Sequence, residues 1–374
     1  MTCCPPVLQC RLFCSPGRVS SPSPLVSCVR GRYEPTRPSA FRCEPAAALI
    51  VTPHGRMEVF SSEARCSQRL SNTPSLPFTG YSVDLLDSQL VVAGYDLERA
   101  EWKYAAMEAP RTGLLANPWR DVTPVAPDTP DSHSSHILGH DLVLPGGLYN
   151  SQARLETGVL GTFTFLWPNK TAVSSFASSS CGVRLSSDLY MVLGGVEQGE
   201  NPISSKVIAV NVSDQTVQER PNLLLARADH SCEVLGDSSI LISGGYSAAR
   251  EPFLNIVADE IYHIETGQSV ALDGSLDRYQ HQLILLTDTV FSLGGRGAEG
   301  SPLSDVKKFD PVRRRWLPHD SGLLSGDSGQ LAVTAFPQSG IDCVDGCRSR
   351  GQNLETFSLF RNFYLFSLLV FHSP

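Results

Sequence analysis

A six-residue pattern that returns along the chain constrains the fold more than any other feature of the sequence. In four places, four apolar or small residues run into a glycine doublet. These segments are LVLPGG at 142–147, YMVLGG at 190–195, ILISGG at 240–245 and VFSLGG at 290–295. The period is about 50 residues, which is typical of repeat architectures. Two weaker copies, LIVTPH at 49–54 and LVVAGY at 90–95, bring the predicted repeats to six.

Each repeat has the composition of four short strands. An apolar run that ends in two glycines predicts a buried strand that stops abruptly, because glycine lets the backbone turn where strands crowd together. A polar segment with the pattern Arg-x-x-His precedes the first strand at 227–230 and 278–281. A variable loop after the doublet leads to two more strands that carry aromatic residues. Four strands in each repeat, with no helical periodicity, predict one blade of a β-propeller.

A glycine doublet followed by Tyr or Phe and then by Trp at this spacing resembles the kelch repeat. The resemblance covers roughly residues 46–336 and implies a kelch-type β-propeller of the galactose oxidase-like superfamily. The positions that carry it are Gly146, Gly147, Gly194, Gly195, Gly244, Gly245, Gly294, Gly295, Trp167, Tyr262, Phe309 and Trp316. We therefore expect an all-β, six-bladed ring.

The two ends of the repeat region indicate how the ring closes. The first repeat starts with its doublet-type strand and has no Arg-x-x-His strand before it. An extra strand at 329–336 follows the sixth repeat, so we expect it to complete the first blade and remove the open edges. The flanking segments differ from the repeats. Residues 1–45 contain eight Pro and six Arg but no Lys, which predicts disorder, and residues 337–374 are predicted to form an irregular tail.

Charge and hydropathy exclude two classes of function. The net charge is −8, and no stripe of Lys and Arg is present, so nucleic-acid binding is not expected. The longest apolar stretch, at 363–371, is about half the ~20 residues that a membrane-spanning helix needs. We expect no membrane insertion.

The eleven cysteines and two sequons bear on the compartment, which the sequence leaves open. Cys181 and Cys232 occupy matching places in successive Ser-Cys-x-Val strands. They form either a disulfide between neighbouring blades or two buried thiols, and the sequence favours the thiols. Asn169 and Asn211 are possible glycosylation sites. Sequons and cysteines favour an extracellular over a cytoplasmic location, although no clear signal peptide is present.

Three patterns in the chain could indicate catalysis or metal binding. Copper-radical oxidases resembling galactose oxidase need a Tyr–Cys pair, a second Tyr and two His at one metal. The residues that this chain offers each occupy a repeat position: Tyr190, Tyr246, Tyr262, Tyr279, His230 and His281. Three histidines at 133–140 would suit zinc on a helix, but strand and turn are predicted there. Arg227, Asp229 and His230 could form a catalytic cluster, yet the motif recurs at Arg278, which favours a structural role. We expect no enzyme activity, metal or cofactor.

A rigid ring with variable loops suits a binding scaffold. The loops after the doublets, at 148–155, 196–205, 246–255 and 296–304, should emerge on one face. Their candidate binding residues are Tyr149, Arg154, Glu197, Tyr246, Arg250 and Arg296. The expected function is therefore non-catalytic binding of a protein or peptide on that face. Two alternatives stay open: an extracellular glycosylated kelch protein, and a ubiquitin-ligase substrate receptor that uses a separate adaptor.

Overall fold

Every regular element in the part of the chain that the structure describes is a β-strand. The computed structural model places strands between residues 9 and 337 and describes side chains for a narrower set. That set is residues 45–52, 57–63, 67–68, 179–186, 189–197, 203–211, 216–247, 256–320, 322–323 and 331–335, with Val83, Leu90, Val92, Ala105 and Met107. The all-β prediction is confirmed for these residues.

Four short strands lie in the segment at 1–45. They are β1 (Gln9–Arg11), β2 (Arg18–Ser21), β3 (Leu25–Val29) and β4 (Arg32–Glu34). β1, β3 and β4 form a three-stranded sheet, while β2 pairs with the beginning of the next strand, β5 (Arg42–Val51). The sequence predicted disorder for this segment, and these strands cover four stretches of it.

The rest of the strands form antiparallel sheets, which we number I to VI in chain order. Sheet I contains β5, β6 (Met57–Ser61), β7 (Cys66–Arg69) and the last strand, β32 (Ala332–Pro337). Sheet II contains β8 (Thr79–Leu86), β9 (Gln89–Asp96), β10 (Glu101–Glu108) and β11 (Arg120–Asp121). Sheet III contains β12 (His136–Leu138), β13 (Asp141–Val143), β14 (Gln152–Glu156) and β15 (Val159–Phe163).

The second half of the chain follows the same scheme. Sheet IV contains β16 (Cys181–Arg184), β17 (Leu189–Val196), β18 (Ile203–Asn211) and β19 (Thr216–Arg220). Sheet V contains β20 (Ser231–Leu235), β21 (Ser239–Ser243), β24 (Glu260–His263) and β25 (Ser269–Ala271), with the hairpin β22 (Tyr246–Arg250) and β23 (Phe253–Ile256) after its doublet. Sheet VI contains β27 (Gln282–Leu286), β28 (Thr289–Leu293), β30 (Val306–Asp310) and β31 (Arg315–Pro318), beside the pair β26 (Arg278–Tyr279) and β29 (Arg296–Gly297).

The sheets are arranged like the blades of a propeller. The first strand of each sheet, or β32 in sheet I, contacts its counterpart in the neighbouring sheet, in the order β16, β20, β27, β32, β8 and β12. Sheets I, IV, V and VI, which have most of the described side chains, form four blades. The structure therefore shows four blades in its well-described part and not the predicted six. Six blades and a closed ring stay predictions.

The last strand in the described part of the chain joins the first sheet. β32 runs antiparallel to β5, with partners from Ala332 opposite Val51 to Pro337 opposite Ala46. β5 in turn pairs with β6, and β6 with β7, which makes a four-stranded blade from both ends of the chain. The predicted pairing between these two distant segments is present.

Apolar side chains fill the seams between blades. Ile240 and Ile242 of β21 pack toward sheet IV, against Leu193. Leu241, between them in sequence, packs toward sheet VI, against Val290. Successive side chains of a strand point to opposite faces, so a continuous apolar run is what a strand needs when both of its faces are covered.

A disulfide joins the inner strands of sheets IV and V. Cys181 lies opposite Leu193, the residue before its glycine doublet, whereas Cys232 lies opposite Ile242, one residue farther from its doublet. This one-residue offset turns the two side chains toward each other across the seam, with Cα atoms 5.9 Å apart. The expectations of matching places and of two buried thiols are therefore wrong.

In the seam between sheets V and VI, hydrogen bonds join the inner strands at the position where the disulfide joins sheets IV and V. Ser231 occupies in β20 the place that Cys181 occupies in β16, and its Oγ accepts a bond from the Leu283 N–H at 2.8 Å. Glu233 Oε2 accepts the Leu285 N–H at 3.1 Å. Burial raises the pKa of Glu233 to about 7. Both bonds satisfy donors on the edge of the inner strand β27.

Candidate functional site on the loop face

In each blade the first and second strands are antiparallel, so the second strand ends on the face where the first strand begins. We call this the loop face, and its described residues are 194–197, 226–230, 244–247, 277–281 and 294–304. It contains both the glycine doublets and the Arg-x-x-His segments. Three of the four predicted binding loops, at 196–205, 246–255 and 296–304, also start there.

The doublet of one blade is bonded to the Arg-x-x-His segment of the next blade. The Gly195 N–H donates to the carbonyl of Arg227 at 2.8 Å, and one blade farther on Gly245 donates to Arg278 at 3.0 Å. Gly194 has a φ of 60°, and a Cβ on it would lie 2.7 Å from the same Arg227 oxygen. The doublets therefore let two blades approach closely, as their composition predicted.

In sheets V and VI, a buried arginine before the first strand bonds to the glycine doublet of the same sheet. Arg227 Nη1 donates to the Gly244 carbonyl at 3.1 Å, while Nη2 lies 2.6 Å from Glu260 Oε1, and both side chains of this ion pair are fully buried. Arg278 repeats the arrangement with Asp305 at 2.7 Å, but the Asp305 side chain is 46% exposed. A buried charge needs such a partner, because desolvation without one costs several kcal/mol.

The histidines of the motif belong to the core. The ring of His230 packs against Gly194, and its Cε1 lies 2.8 Å from the place that a Cβ on Gly194 would take. Burial and the nearby charge of Arg227 lower the pKa of His230 well below its usual range. Burial and Arg278 do the same for His281. Both rings are therefore neutral at physiological pH.

Three ordinary residues take a left-handed backbone at equivalent positions before the inner strands. Ser179, Asp229 and Gln280 have φ values of 54°, 52° and 55°. The Asp229 N–H donates to the Ser179 carbonyl at 3.0 Å, and the Gln280 N–H donates to the Asp229 carbonyl at 2.8 Å. We call this hydrogen-bonded series the rim. Asp229 also accepts a bond from Gln280 Nε2 at 3.1 Å.

These contacts separate the members of the possible catalytic cluster. Arg227 pairs with Glu260, His230 is buried against the preceding blade, and Asp229 bonds to Gln280 on the following one. The contacts support the structural role that the recurrence of the motif indicated.

Two tyrosines meet beside the rim. The backbones of Tyr246 and Ala228 exchange two hydrogen bonds of 3.0 Å. The rings of Tyr246 and Tyr279 lie 6.0 Å apart between centroids and at 89° to each other. Burial, and then the charges of Asp229 and Tyr279, raises the pKa of Tyr246 to about 12. We call this half-buried pair the tyrosine corner.

Arg296 lies next to the corner, because β29 pairs Arg296 with Tyr279. Its Nη1 donates to the Gly300 carbonyl at 2.8 Å. Glu197 is held within its own blade: its carboxylate accepts bonds from Ser204 Oγ at 2.6 Å and from Lys206 Nζ at 3.0 Å. Of the six candidate binding residues, the structure brings Tyr246 and Arg296 to the same part of the loop face.

The other candidates are placed only in part. The Arg154 backbone lies in β14 and the Arg250 backbone in β22, and their side chains are outside the described residues. Tyr149, Gly146, Gly147, Trp167 and Asn169 also lie outside them. Among the repeat aromatics, Tyr262 and Phe309 are buried in strands, and Trp316 donates to Asp259 at 2.6 Å.

Sequence reasoning did not select Asp229, Tyr279 and Gln280 as binding residues. Each lies two or three residues before an inner strand, so only their position in the repeat could have pointed to them. A left-handed backbone at a residue other than glycine leaves no trace in composition.

The described residues contain neither a cluster of three potential metal ligands nor a helix with the length and hydropathy of a membrane span. No family model matches the sequence, and no curated protein matches it.

Proposed function

We propose that this chain is a six-bladed kelch-type β-propeller that binds a protein or peptide on its loop face and catalyses no reaction. The observation that carries the binding proposal is the tyrosine corner with Arg296 beside it, half-buried on the loop face. Tyr and Arg are, with Trp, the side chains that are enriched among the residues that dominate binding energy.

The six-blade proposal is supported by the pairing of the sheets. β32 supplies the inner strand of sheet I, and four strands pair in order in each of sheets II and III. These two sheets fit the two places between sheets I and IV in the chain. A contact between the inner strands of sheets III and IV would close the ring.

Side chains that are already positioned before binding are well suited to recognition. The tyrosine corner is fixed by backbone pairing on both sides, by Ala228 at Tyr246 and by Arg296 at Tyr279. Because the side chains are already positioned, binding needs little additional ordering of the protein.

The test is affinity capture from native cells with the full chain as bait, followed by mass spectrometry. A loop-face variant, Tyr246→Ser with Arg296→Glu, is compared with a control on the opposite face, Asp237→Lys with Asp288→Lys. Asp237 and Asp288 are exposed in the turns between the first and second strands. We expect a partner that the loop-face variant loses and the control keeps. Capture by neither bait, or loss only in the control, would contradict the proposal.

A second candidate is an extracellular binding protein, favoured by the disulfide between Cys181 and Cys232. Disulfides persist in oxidising compartments and are rare in the cytosol. The sequon residue Asn211 ends β18 at a hairpin, opposite Thr216 of β19 and at the far end of the strand from the doublet. Peptide mapping of native protein should find glycans at Asn169 or Asn211, and unmodified sites would exclude this candidate.

A further inference from the structure

Backbone bonds bring three polar or aromatic side chains together between sheets V and VI. Ala228 pairs with Tyr246, so the next residue, Asp229, lies beside that tyrosine. The bond from the Gln280 N–H to the Asp229 carbonyl places Tyr279, which precedes Gln280, on the other side. The position of the corner is thus set by the backbone and not by side-chain packing alone.

The corner offers negative potential from two sources. A tyrosine ring is negative on its faces, and the two rings meet edge to face, 6.0 Å apart between centroids and at 89° to each other. The carboxylate of Asp229 acts on Tyr246 as a neighbouring negative charge. Cations bind to aromatic faces, and quaternary or methylated ammonium groups are recognised by cages of aromatic rings.

The backbone of the rim fixes where these side chains lie. A left-handed conformation is unfavourable for an ordinary L-residue, and glycine adopts it without that cost. Asp229 and Gln280 take it with φ values of 52° and 55°, and Ser179 takes it at the equivalent position of sheet IV with 54°. The conformation is therefore a feature of the repeat that holds the rim residues at fixed places on the loop face.

We propose that the tyrosine corner and Asp229 bind an ammonium group, that of a lysine or methylated lysine side chain of the partner. This inference rests on the proposed binding function and names the chemistry of the partner at that site. Arg296 pairs with Tyr279 through the backbone, and its Nη1 donates to the Gly300 carbonyl. Its positive charge favours the competing hypothesis, which is an anionic partner.

The probe is tetramethylammonium chloride, and sodium acetate is its anionic counterpart. Binding of each to the full chain is measured by saturation-transfer difference NMR with titration. We expect tetramethylammonium to bind and acetate not to bind. Tyr246→Leu and Asp229→Asn should each weaken tetramethylammonium binding by about threefold to tenfold, the range that cation–π and exposed charge contacts supply.

Matched variants separate the chemistry from the fold. Tyr246→Phe keeps the aromatic face and should keep the binding, and Asp237→Asn makes the same charge change in an exposed turn of the opposite face. Equal thermal midpoints for Tyr246→Leu and Tyr246→Phe exclude a folding defect, and Asp229→Asn tests the site without changing the rings. Equal binding by the Leu and Phe variants, or acetate binding alone, overturns the proposal.

The two proposals fail in different ways. If capture finds a loop-face partner while tetramethylammonium does not bind, the cation inference is wrong and the binding function stands. If tetramethylammonium binds at the corner but no partner depends on the loop face, the corner is confirmed and the protein-binding function is wrong.

Discussion

At Gly244 the neighbouring blade leaves room for a hydrogen atom only. A Cβ there would overlap the Arg278 carbonyl oxygen and lie 2.8 Å from the His281 ring, at a φ of 61°. Gly236 has a similar φ of 66°, but nothing lies within 4 Å of its Cβ position. The two glycines therefore separate the cost of the backbone conformation from the cost of steric overlap.

We expect Gly236→Ala to lower the free energy of unfolding by about 1–2 kcal/mol through the backbone alone. Gly244→Ala should cost about 1–3 kcal/mol more, because the inserted methyl group forces the seam apart. Urea unfolding measures both. Equal losses would mean that the glycine doublet recurs because the backbone must turn there, and not because the neighbouring blade approaches closely.

Burial also distinguishes the two repeated ion pairs. Glu260 is fully buried beside Arg227, whereas the Asp305 side chain is 46% exposed beside Arg278. We expect Glu260→Gln to destabilise the protein by roughly 3–5 kcal/mol, since it leaves a buried guanidinium without its counterion. Asp305→Asn should cost about 1 kcal/mol or less, because water replaces much of the lost interaction. Urea denaturation of both variants checks this order, and the reverse order would contradict it.

At the scale of strands, register decides whether two cysteines can meet. Matching positions in successive blades would point both side chains the same way, and the offset of Cys232 by one residue reverses one of them. The disulfide then links residues 51 apart in sequence. It ties sheet IV to sheet V across a seam that otherwise consists of apolar contacts and hydrogen bonds.

Replacing both cysteines, Cys181→Ser with Cys232→Ser, should lower the free energy of unfolding by about 2–4 kcal/mol, mainly because the unfolded chain gains freedom. Reductant should lower the unfolding midpoint of the wild type and leave the double variant unchanged. Peptide mapping after alkylation in denaturant, without reductant, checks the bond itself. Alkylated Cys181 and Cys232 in such a map would show two thiols.

The sequence predicted strands well where their faces are covered on both sides. The runs at 240–243 and 290–293 lie within β21 and β28, because burial on two faces demands continuous apolar residues. It did not predict the hairpin of β22 and β23 inside the loop at 246–255, whose strands pair with each other outside the blade. It also missed the rim, because Asp229 and Gln280 show no glycine signal.

At the scale of the whole molecule, the two ends of the chain depend on each other. Residues 46–51 of β5 are buried, and β32 covers one edge of this strand while β6 covers the other. Without β32, the inner edge of sheet I would present free N–H and C=O groups together with apolar side chains. Such an edge is a template for pairing with another chain.

Two truncations test this dependence. Deleting residues 329–374 removes β32, and we expect the product to aggregate and to unfold at a lower temperature than the full chain. Deleting residues 340–374 keeps β32 and its pairing with β5, so its effect should be mild. Size-exclusion chromatography with light scattering, together with thermal unfolding, distinguishes the two. If both truncations behave alike, β32 does not complete the first blade, and the six-blade proposal loses its support at the point where the ring would start and end.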